Sequence, residues 1–262
     1  IGLRISYAWG RDLRGNVSVE NLSTISGAER DSEPDAFALA AAAEYLPKDS
    51  IKVSSRLEYR DATAEASRLA ELGVAWKAHP DYSALARQRY YETSFSNGSQ
   101  RTATSTLLGL AWRPAHTSRY NGLMRLEFKA DRSSPSVQNA TPRARIFAIE
   151  GSYHPVTRFT LTGKYAFKTA RSGPWDSRTT MYAARVLYDI GRRWDISGEY
   201  RALTSRTIST ESRGGALELG YQAIRNLWLS AGYSYDAFDA DLTGDSYWGK
   251  GPYMKMRFKI MN

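Results

Sequence analysis

Ile51-Lys52-Val53-Ser54-Ser55-Arg56-Leu57-Glu58-Tyr59-Arg60 sets its apolar side chains mostly at odd positions and its charged ones at even positions. Successive side chains of a β-strand point to opposite faces, so a period of two makes one greasy face and one charged face. A helix of period 3.6 would scatter the same charges around its circumference. The pattern recurs at Phe159 to Phe167, Met124 to Lys129 and Met254 to Ile260. Counted along the chain, such runs predict strands near 1–9, 36–46, 51–60, 67–78, 82–94, 102–113, 121–130, 143–153, 158–168, 178–190, 194–203, 213–223, 226–236 and 252–260. About fourteen strands is the expectation, with twelve or sixteen as the alternatives. The count turns on the first run and on the weakly two-faced run from Tyr82 to Thr93.

Connections alternate in length. Short ones are expected near Pro47 to Asp49, His79 to Asp81, Pro114 to Ser118, His154 to Val156, Gly191 to Arg193 and Arg225-Asn226. Longer ones are expected at Arg11 to Pro34, Asp61 to Glu65, Ser96 to Gln100, Asp131 to Pro142, Arg171 to Ser177, Ser205 to Ser212 and Phe238 to Lys250. Short turns on one rim and long loops on the other are the arrangement of outer-membrane barrels.

Alternation alone also suits a soluble β-sandwich, whose greasy face packs inward. Three features favour lipid. Aromatic residues gather at strand ends (Trp9, Tyr45, Trp76, Trp112, Tyr153, Tyr188, Trp194, Tyr221), where headgroup-level girdles belong. The greasy face mixes Ala and Gly with Leu, and the runs are longer than the five or six residues usual in sandwiches. No stretch approaches the roughly 18 uninterrupted apolar residues of a membrane helix. The fold class expected is an all-β, transmembrane, up-and-down antiparallel barrel in the bacterial outer membrane. It is read as a single domain over 1–262 with both termini on the short-turn, periplasmic side.

The alternation assigns an inward, pore-lining set: Lys52, Arg56, Arg87, Arg89, Arg125, Lys164, Arg185, Arg201, Lys255, Arg257 and Lys259, with Glu58, Glu71, Glu127, Glu199 and Glu218 of opposite sign. Interleaved signs on neighbouring strands pair across the sheet, which is the structural reading of most of these charges. The net charge of +9 adds a functional one, in which an excess centred on Arg87/Arg89 and Lys255/Arg257/Lys259 favours anions. Basic residues spread over many strands are not a nucleic-acid patch, so no nucleic acid is expected.

Barrels with hydrolytic sites keep a His on the extracellular rim. Here His79, His116 and His154 all fall in the short turns, so a rim-located hydrolase is left only as a further alternative and no catalytic residue is assigned. Asp239, Asp241 and Asp245 around Gly244 lack the spacing and closing Glu of a Ca²⁺ loop and read as solvated loop acids. Neither metal nor cofactor is expected. The chain has no Cys, which is compatible with folding outside the cytosol.

The closing segment, Asn226-Leu227-Trp228-Leu229-Ser230-Ala231-Gly232-Tyr233-Ser234-Tyr235, a loop with Asp239 and Asp241, then Gly251 to Ile260, resembles the last hairpin of bacterial outer-membrane β-barrels. In particular it resembles the C-terminal barrel domain of large, repeat-rich surface proteins. Gly251 followed by Met254, Met256, Phe258 and Ile260 is similar to the terminal signal read by the barrel-assembly machinery, although Asn262 stands where an aromatic is usual. The resemblance implies a membrane anchor or translocation domain of a larger protein, with the assembly machinery, outer-membrane lipid, lipopolysaccharide and an upstream domain or partner subunit as partners. A porin-like channel for anions or an acidic polymer is the alternative.

Overall fold

The computed structural model describes residues 2–22, 36–134, 141–206, 210–224, 226–235, 238–239, 247–248 and 250–258. Among them there is no helix. The strands are β1 (Gly2–Trp9), β2 (Leu13–Leu22), β3 (Ala36–Lys48), β4 (Ile51–Ala62), β5 (Glu65–His79), β6 (Tyr82–Phe95), β7 (Gln100–Trp112), β8 (Tyr120–Ser134), β9 (Arg143–Val156), β10 (Phe159–Ser172), β11 (Trp175–Asp189), β12 (Trp194–Ser205), β13 (Thr210–Ile224), β14 (Leu227–Ser234), β15 (Phe238–Asp239), β16 (Tyr247–Trp248) and β17 (Gly251–Phe258). Fifteen of these form one sheet in chain order, and β15 pairs only with β16 inside the last connection.

The sheet divides into two compact units, Ile1–Leu110 with Glu127–Arg145 and Arg171–Trp175 in one, and Ala111–Leu126 with Ile146–Ala170 and Asp176–Asn262 in the other. In the first unit, β1 to β6 are joined pairwise as antiparallel neighbours. Leu3, Ile5, Tyr7 and Trp9 stand on its apolar face, all more than half exposed. In the second, β11 to β14 and β17 pair in the same way, and Leu217, Leu219, Ile196 and Met254 stand exposed on the apolar face. Large exposed hydrophobics on one face of each unit are what lipid solvates and water does not.

Two expectations are corrected. The span from Arg11 to Pro34 is not one long loop, because Leu13 to Leu22 forms β2, paired with β1 from Gly2↔Glu20 to Trp9↔Leu13. Gly10, at φ 69, turns the chain between them, a left-handed conformation that costs glycine nothing. Among the described residues the sheet therefore has an odd number of strands. In strict antiparallel alternation fifteen strands put Gly2 and Phe258 at opposite strand ends, not on one shared rim. The connection expected at Arg171 to Ser177 shrinks to 173–174, because β10 and β11 extend to meet a turn with Gly173 at φ 58.

The two strand ends still differ. One carries the connections 10–12, 49–50, 80–81, 113–119, 157–158, 190–193 and 225–226; the other carries those around 23–35, 135–142 and 235–250 besides shorter ones.

Candidate functional site: the charged face

In the first unit the register sets Arg14 opposite Glu44, Arg56 opposite Glu71, and Glu71 opposite Arg89. Opposite charges alternate from strand to strand on one face, and they close into pairs: Lys52 to Glu44 at 2.5 Å, Arg56 to Glu58 at 2.6 Å, and Arg89 to Glu71 at 2.6 Å. Arg101 grips Asp131 through two guanidinium nitrogens. Glu127, only 3% exposed, accepts a hydrogen bond from Ser105 at 2.9 Å and lies 3.5 Å from Lys129. Arg87 faces Gly73 across its rung, so no carboxylate stands directly opposite it.

In the second unit the same face is organised around Glu218, 7% exposed. Lys255 donates to it at 2.9 Å, Tyr253 donates through its hydroxyl at 3.1 Å, and Arg185 reaches within 3.9 Å while donating to Ser197 at 3.1 Å. The Lys255 ammonium also lies 4.7 Å from the Tyr253 ring. One carboxylate on β13 therefore ties together β11 and β17, neither of which is a hydrogen-bonded neighbour of β13. Arg201 pairs with Glu199. Lys164, Glu150, Arg185, Glu199 and Arg201 rim an open recess of about 350 Å³. Nearby the face turns apolar: Ala148, Ala166 and Met181 are buried and Leu203 packs on them.

The expected pore-lining residues thus fall on the charged face in each unit and are largely brought together in ion pairs. Arg125 is part of the second unit's β8, and Arg257 faces Trp228. Lys259, and the side chains of Asp239, Asp241 and Asp245, lie outside the described residues. The excess expected on Arg89 and Lys255 is reduced, since each has a carboxylate partner. Sequence reasoning missed Arg14, Arg101, Asp131 and Tyr253. Arg14 and Asp131 belonged to spans read as loops and Arg101 stood just before the expected strand at 102–113, whereas for Tyr253 alternation marks the face but not the partner.

His79 ends β5 and His154 lies two residues before the end of β9, so neither is in a turn; His79 is 3.7 Å from Asp81, and His154 shares a 2.9 Å hydrogen bond with Thr160. Both stand at the short-connection end. β6 is weakly two-faced because Gln88, Tyr90 and Glu92 occupy its other face. There they are satisfied by Thr106, by one another and by Arg68.

No family model and no curated protein matches the sequence. Solved structures do. The siderophore receptor PirA from Pseudomonas aeruginosa aligns with a TM-score of 0.71 at 9% identity, covering 85% of this chain and 45% of its own. The ferric-catecholate import receptor Fiu from E. coli K12 aligns at 0.68 and 9%, covering 89% and 56%. The ferric enterobactin receptor PfeA from P. aeruginosa, as its G324V mutant, aligns at 0.67 and 11%, covering 86% and 44%. The chain spans about half the length of these receptors. At such identity the likeness carries the fold, and the fold is that of an outer-membrane β-barrel.

Proposed function

We propose that this chain is the membrane-embedded barrel of a larger outer-membrane protein and serves as its anchor, with a charged interior that is mainly structural. The carrying observation is the cross-strand pairing of the charged face, with Glu218 holding Lys255, Tyr253 and Arg185 in one unit and Glu71–Arg89 and Arg101–Asp131 in the other. A filter for anions needs cations whose charge is offered to the passing ion, whereas a paired cation is already compensated. Insertion by the barrel-assembly machinery, through the β17 signal, belongs to the same reading.

Single-channel recording of the purified chain in planar bilayers, with reversal potential under a salt gradient, tests it. The anchor reading expects no steady anion-preferring conductance, and a stable one would overturn it. The porin-like reading has its own support in Arg87 and Arg257, whose partners across the β5–β6 and β14–β17 rungs are Gly73 and Trp228. On that reading, replacing both with Ser abolishes an anion preference that the wild-type chain displays. Siderophore uptake is named for the structural neighbours; a fold match over half their length does not bring it here.

A further inference from the structure

On the apolar face of the second unit the two strand ends are chemically unlike. Toward the short connections stand Trp112 stacked on Tyr120, Trp194 against Tyr221, and Tyr153 and Tyr188. Toward the long connections stand arginines. The β11–β12 ladder runs Tyr182↔Ala202, Thr180↔Thr204 and Thr179↔Ser205. The Arg206 N–H then donates to the Arg178 carbonyl at 3.0 Å, continuing the ladder by one rung and setting Arg178 directly opposite Arg206. Both side chains are exposed, on the face that carries Tyr182 and Tyr200.

Like charges directly opposite on neighbouring strands, with Cβ atoms about 5 Å apart, repel each other. Among the described residues neither guanidinium makes an ion pair. The acids nearby do not resolve the repulsion: Glu211 is held by Arg213 at 2.7 Å, and Asp176 stands two residues nearer the rim than Arg178. Below the pair lie two threonine hydroxyls, then tyrosines, then the aliphatic band. That vertical order, cations over hydroxyls over amphipathic rings over hydrocarbon, matches the depth profile of a phosphorylated glycolipid. The first unit repeats the theme by itself. The Asp131 N–H donates to the Pro142 carbonyl at 2.9 Å, which puts Arg143 opposite Ala130, with Arg132 and Arg145 on flanking rungs of the Phe128 face.

We propose that Arg178 and Arg206 form a binding site for the phosphate of an outer-leaflet glycolipid, the lipid portion of lipopolysaccharide. Thr180 and Thr204 are placed for its sugar, and Tyr182 and Tyr200 for its upper acyl chains. The anion relieves the repulsion between the guanidiniums and is shared by both forks, for which arginine geometry is suited. The site rests on the long connections facing outward, not on the anchor reading, so a conducting barrel would leave it intact.

The test is native mass spectrometry of the detergent-solubilised full chain titrated with bisphosphorylated lipid A, with a dephosphorylated lipid A and inorganic phosphate as separate arms. At roughly 1 kcal/mol for each basic residue near an anionic lipid surface, Arg178→Gln with Arg206→Gln should weaken binding about thirtyfold. The paired Lys substitutions should retain most of it. Retention of full affinity by the Gln pair, equal binding of the dephosphorylated lipid, or displacement of the lipid by inorganic phosphate at equal concentration would overturn the proposal. A second readout guards against misfolding. Arg206→Gln alone should raise thermal stability in lipid-free detergent, by removing repulsion, and lower it relative to wild type once the glycolipid is present. The absence of that sign change would also overturn it.

Discussion

Gly220 and Gly232 lie on the charged face of the second unit, and each is crowded, though by different things. A Cβ on Gly220 would meet the Asp195 carboxylate at 2.5 Å, the far end of a side chain that can turn away. A Cβ on Gly232 would meet the Tyr253 ring at 2.5 Å and the Leu217 carbonyl oxygen at 2.6 Å, and a backbone oxygen within a ladder has nowhere to go. Gly232→Ala should therefore destabilise the folded chain by about 1–3 kcal/mol, and Gly220→Ala by clearly less, when their urea midpoints in detergent are compared. Equal midpoints would mean that β14 and β17 shift freely. Glu218→Ala tests the neighbouring network. It removes the buried acceptor shared by Lys255 and Tyr253, so a loss of about 1–3 kcal/mol is expected. Glu218→Gln, which keeps an acceptor, should recover part of that loss.

At the scale of the element, each strand is legible from its alternation, and its two faces make opposite demands. Leu217 and Glu218 are sequence neighbours near the middle of β13; Leu217 is half exposed on the apolar face and Glu218 is buried on the other. Leu217→Arg should cost about 2–4 kcal/mol in lipid vesicles, the range for a basic residue at the bilayer midplane. In a water-facing sheet the same change would be nearly neutral, so folding midpoints in vesicles separate the two settings. The alternation was less informative in β2 and β6. In β2, Arg14, Asn16, Ser18 and Glu20 are regularly spaced, but Gly15 and the turn Gly10-Arg11-Asp12 weaken the apolar side of the pattern. In β6, Gln88, Tyr90 and Glu92 put polar groups where the pattern requires apolar ones. Tyr90 and Glu92 bond each other, but Gln88 and Glu92 also need Thr106 on β7 and Arg68 on β5, which no local window contains.

For the whole molecule the testable quantity is orientation. The chain has no cysteine, so single reporters are clean. Ala64→Cys, in the 63–64 connection at the long-connection end, should react with a membrane-impermeant maleimide on intact cells. Ser50→Cys, in the 49–50 turn at the opposite end, should react only after the outer membrane is opened. The reverse pattern would invert the barrel and remove the glycolipid site with it.

By itself the sequence determined the fold class, the two faces and most strand positions, because side-chain period and turn residues act over a few residues and survive any tertiary arrangement. Tertiary structure decided the rest. Among the described residues the strand count of the sheet became odd through one hairpin at Gly10. Of the charges expected to favour anions, Arg89 and Lys255 were matched with carboxylates on other strands, whereas Arg87 and Arg257 came to face Gly73 and Trp228. The facing arginines at Arg178 and Arg206 came from register alone. Register is set by pairing between distant segments, and a shift of one residue carries every side chain to the other face. A sequence shows which residues belong to a face, but only the assembled ladder shows which of them meet.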